Sequence, residues 1–172
     1  QARDELLLQS QRDSMTGLLN KGTIEQEIRK QLSAAQPEQQ YALLLIDIDD
    51  FKKINDSLGH ISGDRVLCEI AARMQTIFPR KALIGRAGGD EFLVFLSYAD
   101  KRTEIIAAAE RLIVQLRENI SIAQTEYQVG VSVGIACYPD DGTRFYDLFR
   151  RADSALYRAK ELGKNTCCLA AK

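Results

Sequence analysis

The chain has 172 residues, 45% of them apolar and 27% charged, which is enough apolar material for one folded domain and too much for a disordered tail. Its 23 basic and 24 acidic residues leave a net charge of −1 with no basic stripe, which excludes bulk binding to nucleic acid. The longest apolar run, 41–46, is far too short to cross a bilayer and no signal-peptide pattern opens the chain, so no membrane contact is expected of this segment.

The first residue is Gln1 rather than Met, so a longer protein is expected, with an upstream domain and any membrane anchor lying before this segment. Residues 1–13 carry a leucine cluster between polar flanks, the pattern of a connector helix, and one domain is expected over 14–172. "MTGLLNKG" is turn-rich; Ile24, Ile28 and Leu32 then recur at helical spacing until Pro37 ends the helix. "YALLLIDID", 41–49, is a nearly continuous apolar strand ending in acids, as for a strand covered on both faces. A helix begins at Phe51, is broken by Gly59 and Gly63, and resumes over 66–78. "ALIGRA" and "EFLVFL" read as two strands joined at Gly88, Gly89 and Asp90, a hairpin signal because glycine accepts positive φ. A helix over 104–117, a strand over 127–138, a turn at "PDDG", a helix over 145–162 and a short strand at 166–169 complete the chain. Without its ends the order is β-α-β-β-α-β. That is an α+β, ferredoxin-like core, with a central antiparallel sheet and helices packed on one face.

Cys68, Cys137, Cys167 and Cys168 show no CxxC spacing, and His60 is the one histidine, so thiols in a reducing, cytoplasmic compartment are expected rather than a metal cluster.

Asp47 ends the first strand and Asp90 lies in the hairpin. In this topology the first strand sits beside the hairpin, so the two carboxylates can meet at one sheet edge although 43 positions separate them. Such a pair suits Mg²⁺, which takes one or two carboxylates plus phosphates and water. The plainer reading makes each acid a strand terminus. Between them, "DIDDFKKINDSLGHISGD" is unusually polar for a helical stretch. Amides near Phe51 open a helix N-terminus, a natural phosphate cradle to which Lys52 adds a cation. Asn55 and Asp64 suit a guanine edge, aspartate accepting from N1–H and N2–H and asparagine donating to O6 or N7. Helix capping beside Gly59 and Gly63 is the plainer alternative for that pair, and His60 between them suits packing or capping.

Five ordered blocks, "DSMTGLLNK", "DIDDFKKINDSLGHISGD", "RAGGDEF", "VSVGIACYPDDG" and "ADSALYRAKELGKN", resemble the GGDEF-domain family, the diguanylate cyclases, from Asp13 nearly to the end of the chain. The resemblance implies a palm-like fold and condensation of two GTP into cyclic di-GMP and two pyrophosphates across a two-fold homodimer. It implies two Mg²⁺ per site, with Mn²⁺ as a substitute, on Asp47, Asp90 and the Ile48 carbonyl. Asp90 then also deprotonates the attacking hydroxyl, with Glu91 a secondary member of the loop, and Gly88 and Gly89 let the nucleotide approach. Phe51 amides, Lys52, Lys160 and Lys164 hold the triphosphate, while Asn55 and Asp64 read guanine with His60 nearby. Lys164 stands where the family often has arginine. The family's product-inhibition site, an Arg-x-x-Asp motif, is replaced at both charged positions by Pro79 and Ala82. The rival reading is a silent module that senses GTP or cyclic di-GMP for a partner; against it, the signature loop and the site residues all stand.

Overall fold

The computed structural model describes residues 10–99, 102–122 and 124–171. Most of the connector helix expected over 1–13 lies outside them; Ser10 is helical, and Arg12 already pairs with Leu19 in an isolated bridge. Helix α1 (Lys21–Ser33) begins at Asn20, whose side chain accepts from the Thr23 N–H and so satisfies one first-turn donor. Its buried face is Ile24, Ile28 and Leu32. Strand β1 (Gln40–Ile48) is buried from Tyr41 onward. Helices α2 (Phe51–Leu58) and α3 (His60–Ile77) are separated by Gly59 alone, at φ 84°. Gly63 does not interrupt the helix as the sequence suggested. It lies within α3, its N–H bonded to the Gly59 carbonyl at 3.2 Å.

Strands β2 (Leu83–Gly88) and β3 (Glu91–Tyr98) form the signature hairpin, followed by α4 (Arg102–Leu116). A small hairpin, β4 (Ile120–Ile122) with β5 (Thr125–Tyr127), precedes β6 (Val131–Tyr138), α5 (Phe145–Glu161) and β7 (Cys167–Leu169). The single strand expected over 127–138 is therefore two elements. The break spans 128–130, and the Gly130 carbonyl, accepting the Asp49 N–H at 2.9 Å, continues the β1–β6 register by one pair.

The main sheet runs β2-β3-β1-β6-β7, with β1 antiparallel to both neighbours and β7 added parallel to β6, which makes the sheet mixed. Helices cover both faces, not one. Apolar residues at successive positions of β1 leave no face fit for water: Leu44 and Ile46 pack with residues of α3 and α4, Leu43 and Leu45 with residues of α1 and α5. The end of β1, the β2–β3 turn, the start of β6 and the turn after α5 consequently meet at one end of the sheet. All four cysteines are free thiols, and no helix among the described residues is long and apolar enough to cross a membrane.

Contact between α5 and β6 depends on Gly134. A Cβ there would lie 2.0 Å from the Ala152 carbonyl oxygen and 2.4 Å from the Leu156 nitrogen, both backbone atoms of α5. Backbone cannot step aside as a side chain can, so Gly134→Ala is expected to lower stability by about 3 kcal/mol or more. Urea denaturation measures it; a midpoint equal to that of the parent chain would refute the close packing.

Candidate active site

β1 carries Asp47 into the interior because six apolar residues before it are committed to the core; Asp47 itself is only 6% exposed. In register it stands opposite Glu91 of β3 and Ser132 of β6. The β2–β3 turn closes over this end: the Ile48 N–H donates to the Asp90 carbonyl at 3.2 Å, and the Asp90 carboxyl lies against that of Asp47. The two acids that 43 positions separate are thus adjacent. Lys160, from the last turn of α5, ion-pairs with Asp47 Oδ2. Asp47 Oδ1 is buried with no hydrogen-bond partner among the described residues.

Burial drives the Asp47 carboxyl upward to about 7; the Lys160 hydrogen bond opposes this and the neighbouring Asp90 reinforces it. Partial burial works against the Lys160 charge, yet Asp47, Asp90 and Asp49 outweigh it and hold the ammonium protonated above its ordinary range. Glu91, half-buried, is also raised, first by desolvation and then by Asp153 and Asp90.

Asp50 adopts a left-handed conformation (φ 56°, ψ 28°) that swings the chain from β1 into α2. Hydrogen bonds from Lys164 and then Lys53 lower its pKa; the Lys164 ammonium is 2.8 Å away. The Lys53 and Ile54 N–H groups bond back to Asp50, while Phe51 and Lys52 find no backbone acceptor among the described residues, so the first-turn amides stay available. Lys52 is exposed there. Gly88 (φ 144°) and Gly89 (φ 47°) are exposed, and a Cβ on either would meet nothing within 4 Å, so the space above the hairpin is open.

Asn55 is half-buried against Gly63, and Asp64 follows at once, exposed at the edge of a groove of about 730 Å³. Asn55 thus lies on the α2 side and Asp64 on the α3 side of the junction at Gly59, and His60 is exposed at the first turn of α3. No hydrogen bond or ion pair joins Asn55, His60 or Asp64 to the carboxylate pair among the described residues, so the site has two parts.

Two positioning residues escape a reading of the sequence. Asp49 accepts from Ser132 Oγ at 2.6 Å and from the Asn165 N–H at 2.8 Å, fastening the turn that carries Lys164 to the end of β1. The second acid of "DID", together with a serine inside an otherwise apolar strand, was the available signal. Arg86 donates to the Gly89 carbonyl through Nε (3.0 Å) and Nη2 (2.7 Å), and to Asp13 through Nη1. It locks the hairpin to the chain's entry into the domain.

No group of three or more histidine, cysteine or acidic side chains gathers to hold a metal among the described residues. The observed donor set nevertheless fits a hard divalent cation that takes two carboxylates and completes its shell from phosphate and water, because one buried carboxylate oxygen lacks any protein donor.

A family model described as "Diguanylate cyclase, GGDEF domain" matches residues 10–166. The bifunctional diguanylate cyclase/cyclic di-GMP phosphodiesterase MucR of Pseudomonas aeruginosa is 33% identical over 97% of this chain, which spans 24% of that protein. The chain spans a quarter or less of the length of that relative and of others like it. Among solved structures, the GGDEF domain of TpbB from Pseudomonas aeruginosa superposes with a TM-score of 0.89 at 34% identity, over 93% of this chain and 94% of that one. Diguanylate cyclase SiaD from the same organism, solved with its activator SiaC, gives 0.87 at 33% identity, over 98% and 66%.

A carboxyl raised to about 7 binds its proton more tightly in the folded chain than in the unfolded one. Its contribution to folding is full below about pH 4 and is lost as the pH climbs toward about 7. In metal-free protein, Asp47→Asn is therefore expected to stabilise the fold by about 1–3 kcal/mol at pH 8 and by less at pH 5. Urea melts at the two pH values measure this; destabilisation at pH 8 would contradict it.

Proposed function

Because the chain belongs to the GGDEF-domain family, we propose that it is a diguanylate cyclase that condenses two GTP into cyclic di-GMP and two pyrophosphates. The observation that carries this reading is the buried Asp47 carboxylate, one oxygen unpartnered, with Asp90 against it at the open end of the sheet. Asp47, Asp90 and the Ile48 carbonyl would hold Mg²⁺ or Mn²⁺. When bound, the ions neutralise charge on the phosphates and favour ionisation of the attacking hydroxyl.

The chain's own residues supply the rest. First-turn amides of α2 and Lys52 receive the triphosphate, with Lys160 and Lys164 reaching it from α5 and the turn beyond. Lys160 and Lys164 are paired with Asp47 and Asp50 in this structure, so each exchanges a carboxylate partner for phosphate when substrate arrives. Asn55 and Asp64 select guanine, with His60 beside them. Asp90 takes the proton of the ribose 3′-hydroxyl. The oxygen attacks the α-phosphorus of the other nucleotide, the bond from that phosphorus to the bridging oxygen breaks, and pyrophosphate leaves. One domain binds one GTP, so closing the ring requires a second copy facing the first across a two-fold axis. Residues 1–13 would link the domain to a sensor that sets that geometry, and the Asp13–Arg86–Gly89 connection gives it a path to the hairpin. A cytoplasmic setting follows from the substrate.

Pyrophosphate release from GTP and Mg²⁺ tests the proposal. The rate is expected to rise more steeply than linearly with protein concentration, and Asp90→Ala to reduce it roughly a hundredfold or more. GTP binding with no pyrophosphate at any concentration would instead establish the silent sensing module.

Feedback through the family's product site is not expected. The Ala82 N–H donates to the Pro79 carbonyl in a tight turn, and neither side chain offers a charge to a guanine or a phosphate. Calorimetric titration of cyclic di-GMP into GTP-free protein should show no tight site at this turn; binding that Arg80→Ala removes and Asp64→Ser leaves intact would overturn this.

A further inference from the structure

Backbone conformation does not explain the glycine at position 63. Gly63 is buried inside α3, is not among the residues with positive φ, and makes an ordinary helical hydrogen bond to Gly59. Glycine inside a helix is a poor choice that alanine normally improves. The constraint is space. A Cβ at 63 would lie 1.8 Å from Asn55 Oδ1 and 2.9 Å from Asn55 Cγ, with Phe51 Cζ at 3.2 Å. Gly134 differs, because there the obstructing atoms are backbone and the fold itself would suffer. At Gly63 the closest atoms belong to the end of a flexible side chain. The helices can keep their places, and the Asn55 amide is what must leave.

We propose that Gly63 is a specificity-determining positioning residue: its missing side chain is the slot that holds the Asn55 amide toward the guanine O6, the acceptor that adenine lacks. This rests on the assignment of Asn55 to guanine under the proposed function. Asp64 is the next residue of α3, so the slot for Asn55 and the second base-reading group are adjacent in the chain. The inference fixes an unusual pair of signs for Gly63→Ala. Thermal stability holds or rises, while base selectivity falls.

The test is equilibrium binding, by calorimetry with Mg²⁺, of the α,β-methylene analogues of GTP, ITP and ATP, which the protein does not turn over. The proteins are the parent chain, Gly63→Ala, Asn55→Ala and the double variant. ITP lacks only the 2-amino group assigned to Asp64, so loss of the Asn55 contact leaves the GTP-to-ITP ratio unchanged. Gly63→Ala is expected to weaken GTP and ITP alike by about tenfold and leave ATP nearly unaffected, so the GTP-to-ATP preference falls about tenfold. The double variant should match Asn55→Ala alone, because the displaced group is already gone. A GTP-to-ATP ratio preserved in Gly63→Ala while Asn55→Ala loses it would overturn the inference and leave the proposed function standing. Equal weakening of all three nucleotides, or additive effects in the double variant, would make Gly63 a packing residue only and also overturn it. An unchanged ratio in Asn55→Ala would remove the guanine assignment itself, and the inference with it.

Discussion

A carboxylate held in the interior without enough donors is the constraint around which this molecule is organised. Asp47 is carried below the surface by β1, whose preceding residues are committed to the two cores on either side of the sheet. Burial disfavours its charge, Asp90 disfavours it further, and Lys160 offsets only part of that. A protein selected for stability alone would place asparagine or an apolar residue there. Retaining an under-satisfied anion makes physical sense where a cation completes it.

The surrounding residues keep that arrangement rigid without touching the charge. Asp49 divides its two oxygens between Ser132 and the Asn165 backbone, binding β1, β6 and the turn after α5 into one unit. Arg86 spans the hairpin to the Gly89 carbonyl and reaches Asp13, so the loop that carries Asp90 is braced from behind. Lys160 and Lys164 each pair with an acid at this end of the sheet, Asp47 and Asp50.

Much of this was legible in the residues. The β-α-β-β-α-β order follows from period and punctuation, and that order alone places Asp47 beside Asp90. The glycines of the hairpin announce their positive φ. What was not legible depends on contacts made across the fold. The second helical layer is invisible in the core motif, because α1 and α5 flank it in sequence; only the doubly apolar β1 hinted at it. The hairpin of β4 and β5 has three residues per strand, too few to show a period, and residues 128–130, which belong to neither β5 nor β6, look in one dimension like part of one continuous strand. Gly63 looks like a helix breaker in one dimension. In three dimensions it is a space kept for Asn55.

Whether Asp47 and Asp90 together hold a cation is read out by Mn²⁺ binding, measured by electron paramagnetic resonance with a non-hydrolysable GTP analogue. A bound-Mn²⁺ signal is expected, with an affinity that increases as the pH rises through about 7, because metal competes with the Asp47 proton. Asp47→Asn should remove both the signal and its pH dependence while the chain stays folded. Equal Mn²⁺ affinity in the parent chain and in folded Asp47→Asn, with no dependence on pH, would contradict it.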